Sequence, residues 1–121
     1  MNSPHAPPKL RELANGMIKV RDDIEGMGQR CPSKGKITIA YVGRLTNGKV
    51  FDQSRNFSFR IGAGEVIKGF DLGIGGSMPM KVGGKRQLII APPYAYGKEG
   101  AKPSIPPNAT LVFTVELLKV Q

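Results

Sequence analysis

The sequence predicts a small α+β domain: short antiparallel strands joined by many turns, with one short helix. Three observations point there. The 121 residues and 13.0 kDa fit a single core, and 40% hydrophobic against 22% charged residues is a globular balance. Sixteen glycines and ten prolines break helices throughout the chain, which removes helical bundles and coiled coils. Period-two alternation with β-branched residues recurs in several separate segments, whereas four-residue apolar spacing occurs in one.

Taken in order, residues 1–16 carry a Pro-rich start, the pair Leu10 and Leu13 and a closing Asn15-Gly16 turn signal, so they read as an arm or linker with one helical turn from Pro8 to Ala14. The folded domain is then expected over residues 17–121. Met17 to Val20 forms a short strand that the Asp22-Asp23 pair should end. From Lys36, Ile37, Ile39 and Tyr41 alternate with Thr38, Ala40 and Val42 in a second strand. Asn47-Gly48 is a tight-hairpin dipeptide, after which Val50-Phe51 resumes an extended run. Phe57, Phe59 and Ile61 alternate with Ser58 and Arg60. Val66, Phe70 and Ile74 then place a helix within Glu65 to Gly75. Leu88 and Ile90 mark a strand stopped by Pro92-Pro93, and Leu111, Phe113, Val115 and Leu117 mark the clearest strand of all. Between them, Tyr94 to Ala109 is a long Gly/Pro-rich loop of the kind that carries function.

Much chemistry is excluded at once. A single cysteine, Cys31, and a single histidine, His5, leave neither an internal disulfide, nor a soft-metal cluster, nor a hydrolytic triad. The glycines fail both phosphate-loop templates: Ile67 stands where Gly62-Ala63-Gly64 needs a third glycine, and Pro79 and Arg86 stand where Gly84-Lys85 needs Gly and Ser/Thr. Without a signal peptide or membrane-length apolar run, a soluble protein of a reducing compartment, with no membrane partner, is expected. The net charge of +9 favours polyanions. Lys81, Lys85, Arg86, Lys98 and Lys102 are the candidate basic patch, set against a scattered solvated surface as the plainer reading.

Five ordered blocks carry a resemblance: Tyr41-Val42-Gly43-Arg44-Leu45, Gly48-Lys49-Val50-Phe51-Asp52, Gly64-Glu65-Val66-Ile67-Lys68-Gly69-Phe70, Tyr94-Ala95-Tyr96-Gly97, and Ile105-Pro106-Pro107-Asn108-Ala109-Thr110-Leu111. Between Met17 and Val120 the chain resembles the FKBP-type peptidyl-prolyl cis-trans isomerases. The resemblance implies a twisted antiparallel half-barrel wrapped around one short helix, needing neither metal nor cofactor. It also implies a cleft that takes proline-containing peptides and proteins and the macrolide immunosuppressants tacrolimus and rapamycin. Tyr41, Phe51, Phe57, Val66, Ile67, Phe70, Tyr96, Ile105 and Phe113 would line that cleft, with Asp52 as its carboxylate. The Ile67 N–H and the Tyr96 hydroxyl would hold carbonyls.

The chain also departs from the family pattern. Phe70 stands where many members have tryptophan, Ala101 and Ser104 replace larger rim residues, Ser77-Met78-Pro79 reads as an insertion, and Arg55 is the one candidate ion partner for Asp52. The Leu13-Ala14-Asn15-Gly16 lead-in is similar to that of the C-terminal domains of nuclear and nucleolar FKBPs. It implies a monomeric domain excised from a longer nuclear or nucleolar protein, the cytoplasm being the alternative placement. Two functions stay open: an active isomerase, or a non-catalytic recruitment module whose basic surface meets histones or nucleic acid.

Overall fold

The computed structural model describes residues 9–121. His5 and the start of the expected arm lie outside them. Six strands, β1 (Leu10–Leu13), β2 (Ile18–Ile24), β3 (Gly35–Leu45), β4 (Val50–Ile61), β5 (Lys85–Ile90) and β6 (Leu111–Val120), form one antiparallel sheet in the order β1-β2-β5-β6-β3-β4. One helix, α1 (Lys68–Gly75), crosses its inner face. This is the α+β half-barrel the sequence predicts.

Alternation decides which side chains meet the helix. Ile18 and Val20 of β2, Ile37 and Ile39 of β3, Phe59 and Ile61 of β4, Leu88 and Ile90 of β5, and Leu111 to Leu117 at every second position of β6 are buried together with Phe70 and Ile74 of α1. The helix lies close to β5 because its contact points are glycines. A Cβ at Gly69 would stand 2.6 Å from Ile90, and one at Gly73 would stand 2.9 Å from Leu88.

Three expectations need correction. Leu10–Leu13 is a strand paired with β2 from Leu10↔Arg21 to Leu13↔Ile18, not a helical turn. Ala14–Gly16 makes the reversal between them, with Asn15 at φ 55°. The apolar pair Leu10/Leu13 therefore belongs to the sheet. Second, Asp22-Asp23 does not end β2, which runs to Ile24 through a bulge. Asp22 is accommodated within the strand because its carboxylate is spent on cations: Arg86 donates from Nε to its Oδ1 at 2.6 Å and from Nη2 to its Oδ2 at 3.0 Å, and Arg11 bonds the same carboxylate. Third, Arg86 is therefore no part of a basic surface patch. It is 2% exposed and also donates to the carbonyls of Gly73 (2.8 Å) and Met78 (2.6 Å), tying the end of α1 and the Ser77-Met78-Pro79 segment to the sheet. A buried guanidinium survives there because every face of its fork has an acceptor.

The helix begins at Lys68, three residues after Glu65 where the spacing allows it. Ile67 caps it in an extended conformation, φ −58° and ψ 149°, which turns Val66 and Ile67 out of the helix and toward the sheet opening. Asp71 in the first turn accepts the N–H groups of Gly62 (2.9 Å) and Gly64 (3.2 Å), fixing the helix start against the end of β4.

Candidate functional site: an aromatic cleft

Where the start of α1 faces the open side of the sheet there is a cavity of ≈ 200 Å³. Its base is a set of rings on four elements. Phe70 of α1 and Phe113 of β6 meet edge to face at 4.6 Å, Phe51 of β4 meets Phe113 at 5.5 Å, and Tyr41 of β3 stands 5.8 Å from both Phe57 and Phe70. Phe59 lies beneath, stacked on Phe57 at 5.4 Å. Because each ring is an inward residue of its own element, the cleft is a by-product of the same alternation that builds the core. It opens where the core runs out of helix to cover it.

Of the ten residues expected at the site, Tyr41, Phe51, Asp52, Phe57, Val66, Ile67, Phe70, Tyr96 and Phe113 line this cavity. Ile105 does not. It is 6% exposed within the hydrophobic core, and its N–H and C=O exchange 2.8 Å hydrogen bonds with Ala101, closing the tip of the long loop. The isoleucine thus braces the loop that carries Tyr96 from below. The sequence reading missed Glu65, which lines the opening and whose Oε1 accepts the Arg60 N–H at 2.9 Å. Its signal was present in the Gly64-Glu65-Val66-Ile67 block. Gly43 was missed as well: a Cβ there would come within 2.7 Å of both Phe51 and Phe113, so only glycine lets those two rings close on the strand.

The polar groups gather at one corner. The Tyr41 hydroxyl donates to Asp52 Oδ2 at 2.6 Å, and the Gln53 N–H donates to Oδ1 at 2.8 Å. Arg55 makes no ion pair with Asp52 among the described residues, so a phenol and an amide take the place expected for an arginine. Burial, reinforced by the hydrogen bond to Asp52, holds the Tyr41 phenol well above its ordinary pKa; burial, and then the Asp52 charge, raise that of Tyr96. Both phenols therefore remain O–H donors at neutral pH. Tyr96 is 42% exposed at the cleft mouth and free to turn to a ligand. Among the described residues, the Ile67 N–H makes no hydrogen bond, while the Ile67 carbonyl accepts from Phe70 at 2.9 Å. The site offers an apolar base and two donors at its rim. Asp52, already bonded on both oxygens, is a poor nucleophile.

A sequence model described as FKBP-type peptidyl-prolyl cis-trans isomerase matches residues 28–118. FK506-binding protein 4 of Rhizopus delemar is 52% identical over 116 residues, covering 93% of this chain and 29% of its own length. The 39 kDa FK506-binding nuclear protein of Drosophila melanogaster is 46% identical over 109 residues, 87% of this chain and 30% of that one. The chain thus spans about a third or less of these curated relatives. Among solved structures, AtFKBP13 superposes with a TM-score of 0.86 at 40% identity, covering 93% of this chain and 99% of that one. A peptidyl-prolyl cis-trans isomerase of Pseudomonas syringae pv. tomato gives 0.81 at 38% identity, covering 96% and 84%. With its half-barrel, single helix and ring-lined cleft, the chain belongs to the FKBP-type peptidyl-prolyl cis-trans isomerases, the enzymes that rotate the amide bond preceding proline.

Proposed function

We propose that the cleft seats the proline ring of an X-Pro segment on Phe70 and Phe113, between Phe51 and Phe57, with the Ile67 N–H and the Tyr96 hydroxyl holding the flanking carbonyls. Rotation about an ordinary peptide amide is opposed by ~18–20 kcal/mol of lost resonance, and no covalent bond has to break. A twisted amide is less charge-separated than a planar one, so an apolar, water-poor base favours the twisted state over the ground state. Donors at the rim fix one end of the bond while the other turns. Asp52 acts by holding the Tyr41 hydroxyl, which keeps the Tyr41 ring upright against Phe57 and Phe70. The observation that carries this reading is the cavity itself, in which Tyr41, Phe51, Phe57, Phe70 and Phe113 converge from the neighbouring strands β6, β3 and β4 and from the helix.

The same cleft is the proposed seat for a macrolide such as FK506, a reading supported by the FK506-binding names of the relatives. Placement in a longer nuclear or nucleolar protein draws support from the Leu13-to-Gly16 lead-in, the +9 charge and the nuclear relative's name. Amide NMR during titration with FK506 and with a Leu-Pro peptide tests the assignment. Overlapping shifts at Ile67, Phe70 and Tyr96 are expected from both ligands. Shifts confined to residues outside the cleft would refute it.

A further inference from the structure

The outer face of the sheet, opposite the helix, carries the two largest hollows described in the molecule, ≈ 560 Å³ and ≈ 410 Å³, and Arg55 lines both. They make one trough across β4, β3 and β6 that reaches Lys85 on β5. Their chemistry is unlike that of the cleft. Four cations, Lys36, Arg55, Lys85 and Lys119, stand over the trough, and Glu116 is the single acidic side chain lining it. The ion pairs among the described residues are Arg11–Asp22, Arg21–Asp23 and Arg86–Asp22, so none of the four cations is engaged by a carboxylate. Between them lie neutral hydrogen-bonding groups: Thr38 and Ser58, whose hydroxyls meet at 2.8 Å, and Gln53, Asn56 and Thr114. The bulge in the β3–β4 pairing between Ile39 and Tyr41 falls opposite Arg55 and Asn56 and leaves both exposed.

We infer that this trough is a binding site for the phosphate backbone of duplex nucleic acid. Cations interspersed with hydroxyls and amides are the groups that contact phosphate oxygens without reading sequence. The scale agrees. From Lys36 to Ala40, the partner of Glu116 and through it of Lys85, is four residues of β3, about 13 Å at ~3.3 Å per residue. A duplex strand presents one charge per ~3.4 Å of axis, so that length faces about four phosphates, matching four cations. A single strand is disfavoured because it is normally held by stacking aromatics, and the one aromatic bordering the trough, Tyr41, has its ring on the other face against Phe57, Phe70 and Phe113. The site is separate from the isomerase cleft, and its failure would leave that assignment intact.

The test is fluorescence anisotropy with a labelled 20-base-pair duplex of arbitrary sequence, over a salt titration from low ionic strength. Binding is expected, with log K falling against log[salt] with a slope of about −3 to −4. The Arg55→Gln/Lys119→Gln protein should bind at least tenfold more weakly at low salt, with the slope reduced by about 2, and should keep wild-type isomerase turnover on a neutral peptide. A Lys98→Gln/Lys102→Gln protein loses the same charge from the long loop and should bind as the parent does. Equal weakening in both variants would overturn the site in favour of diffuse attraction. Tighter binding of poly-glutamate or of the matching single strand would overturn the duplex as occupant, and absence of binding at low salt would overturn the inference altogether.

Discussion

Replacing Gly43 by alanine probes the cleft without replacing any side chain that meets substrate. The added Cβ would sit 2.7 Å from the nearest carbons of Phe51 and Phe113, about 0.8 Å inside ordinary ~3.5 Å carbon contact. Phe113 is 4% exposed and wedged against Phe70, so it has nowhere to go. Phe51 is half-buried and borders the cavity, so it must swing into the ≈ 200 Å³ space. Overpacking of this kind costs about 1–3 kcal/mol, offset by about 0.4–1 kcal/mol from the smaller entropy of an unfolded chain without that glycine. The expected outcome is a folded protein destabilised by roughly 0–2.5 kcal/mol in urea melts. Prolyl isomerase kcat/KM should drop by about tenfold, equivalent to about 1.4 kcal/mol of lost transition-state stabilisation. A variant with wild-type turnover would refute the reasoning, because Phe51 and Phe113 would then not form the wall on which proline sits.

Tyr96→Phe should weaken FK506 binding by about one hydrogen bond, about 0.5–1.5 kcal/mol by calorimetry, and leave the melting temperature unchanged, since the hydroxyl has no partner among the described residues. Arg86→Met strips the Asp22 carboxylate and the Gly73 and Met78 carbonyls of their shared donor, and should cost about 3 kcal/mol in urea melts, softened where Arg11 keeps its bond to Asp22. Alkali should destabilise the fold: burial raises the Cys31 thiol to about 11 from an ordinary 9.0 and also raises Tyr41, so the stability both confer in their protonated forms is lost as pH rises through those values. Urea melts across that range should show the decline, and Cys31→Ala should remove the part that sets in near the ordinary thiol value.

Most of the fold was legible because period two and period 3.6 leave different marks, as Phe57/Phe59/Ile61 and Phe70/Ile74 show, although Val66, read into the same helical spacing, lies just before the helix. β1 was not: four residues carry too little alternation to show, and Leu10–Leu13 is a strand because β2 offers it an edge. The continuation of β2 through Asp22-Asp23 was hidden for a similar reason, since the arginine that neutralises Asp22 stands 64 residues away in sequence. The same distance disguised Arg86 as a surface cation. At the cleft, nine of the ten expected residues meet around one cavity, but motif blocks name positions and not directions. Ile105 points into the core, and the contribution of Gly43 is an empty space that no side chain advertises.

The most direct test of the account is exchange NMR on a short peptide containing a Leu-Pro bond, at substoichiometric enzyme, with and without FK506. Uncatalysed exchange takes roughly tens to hundreds of seconds, too slow to broaden the peptide's cis and trans resonances. The account predicts exchange cross-peaks between the two isomers when the protein is added, and their disappearance when FK506 occupies the cleft. Exchange that stays at the uncatalysed rate with a folded protein present would contradict the claim that this ring-lined cleft catalyses rotation about the prolyl bond.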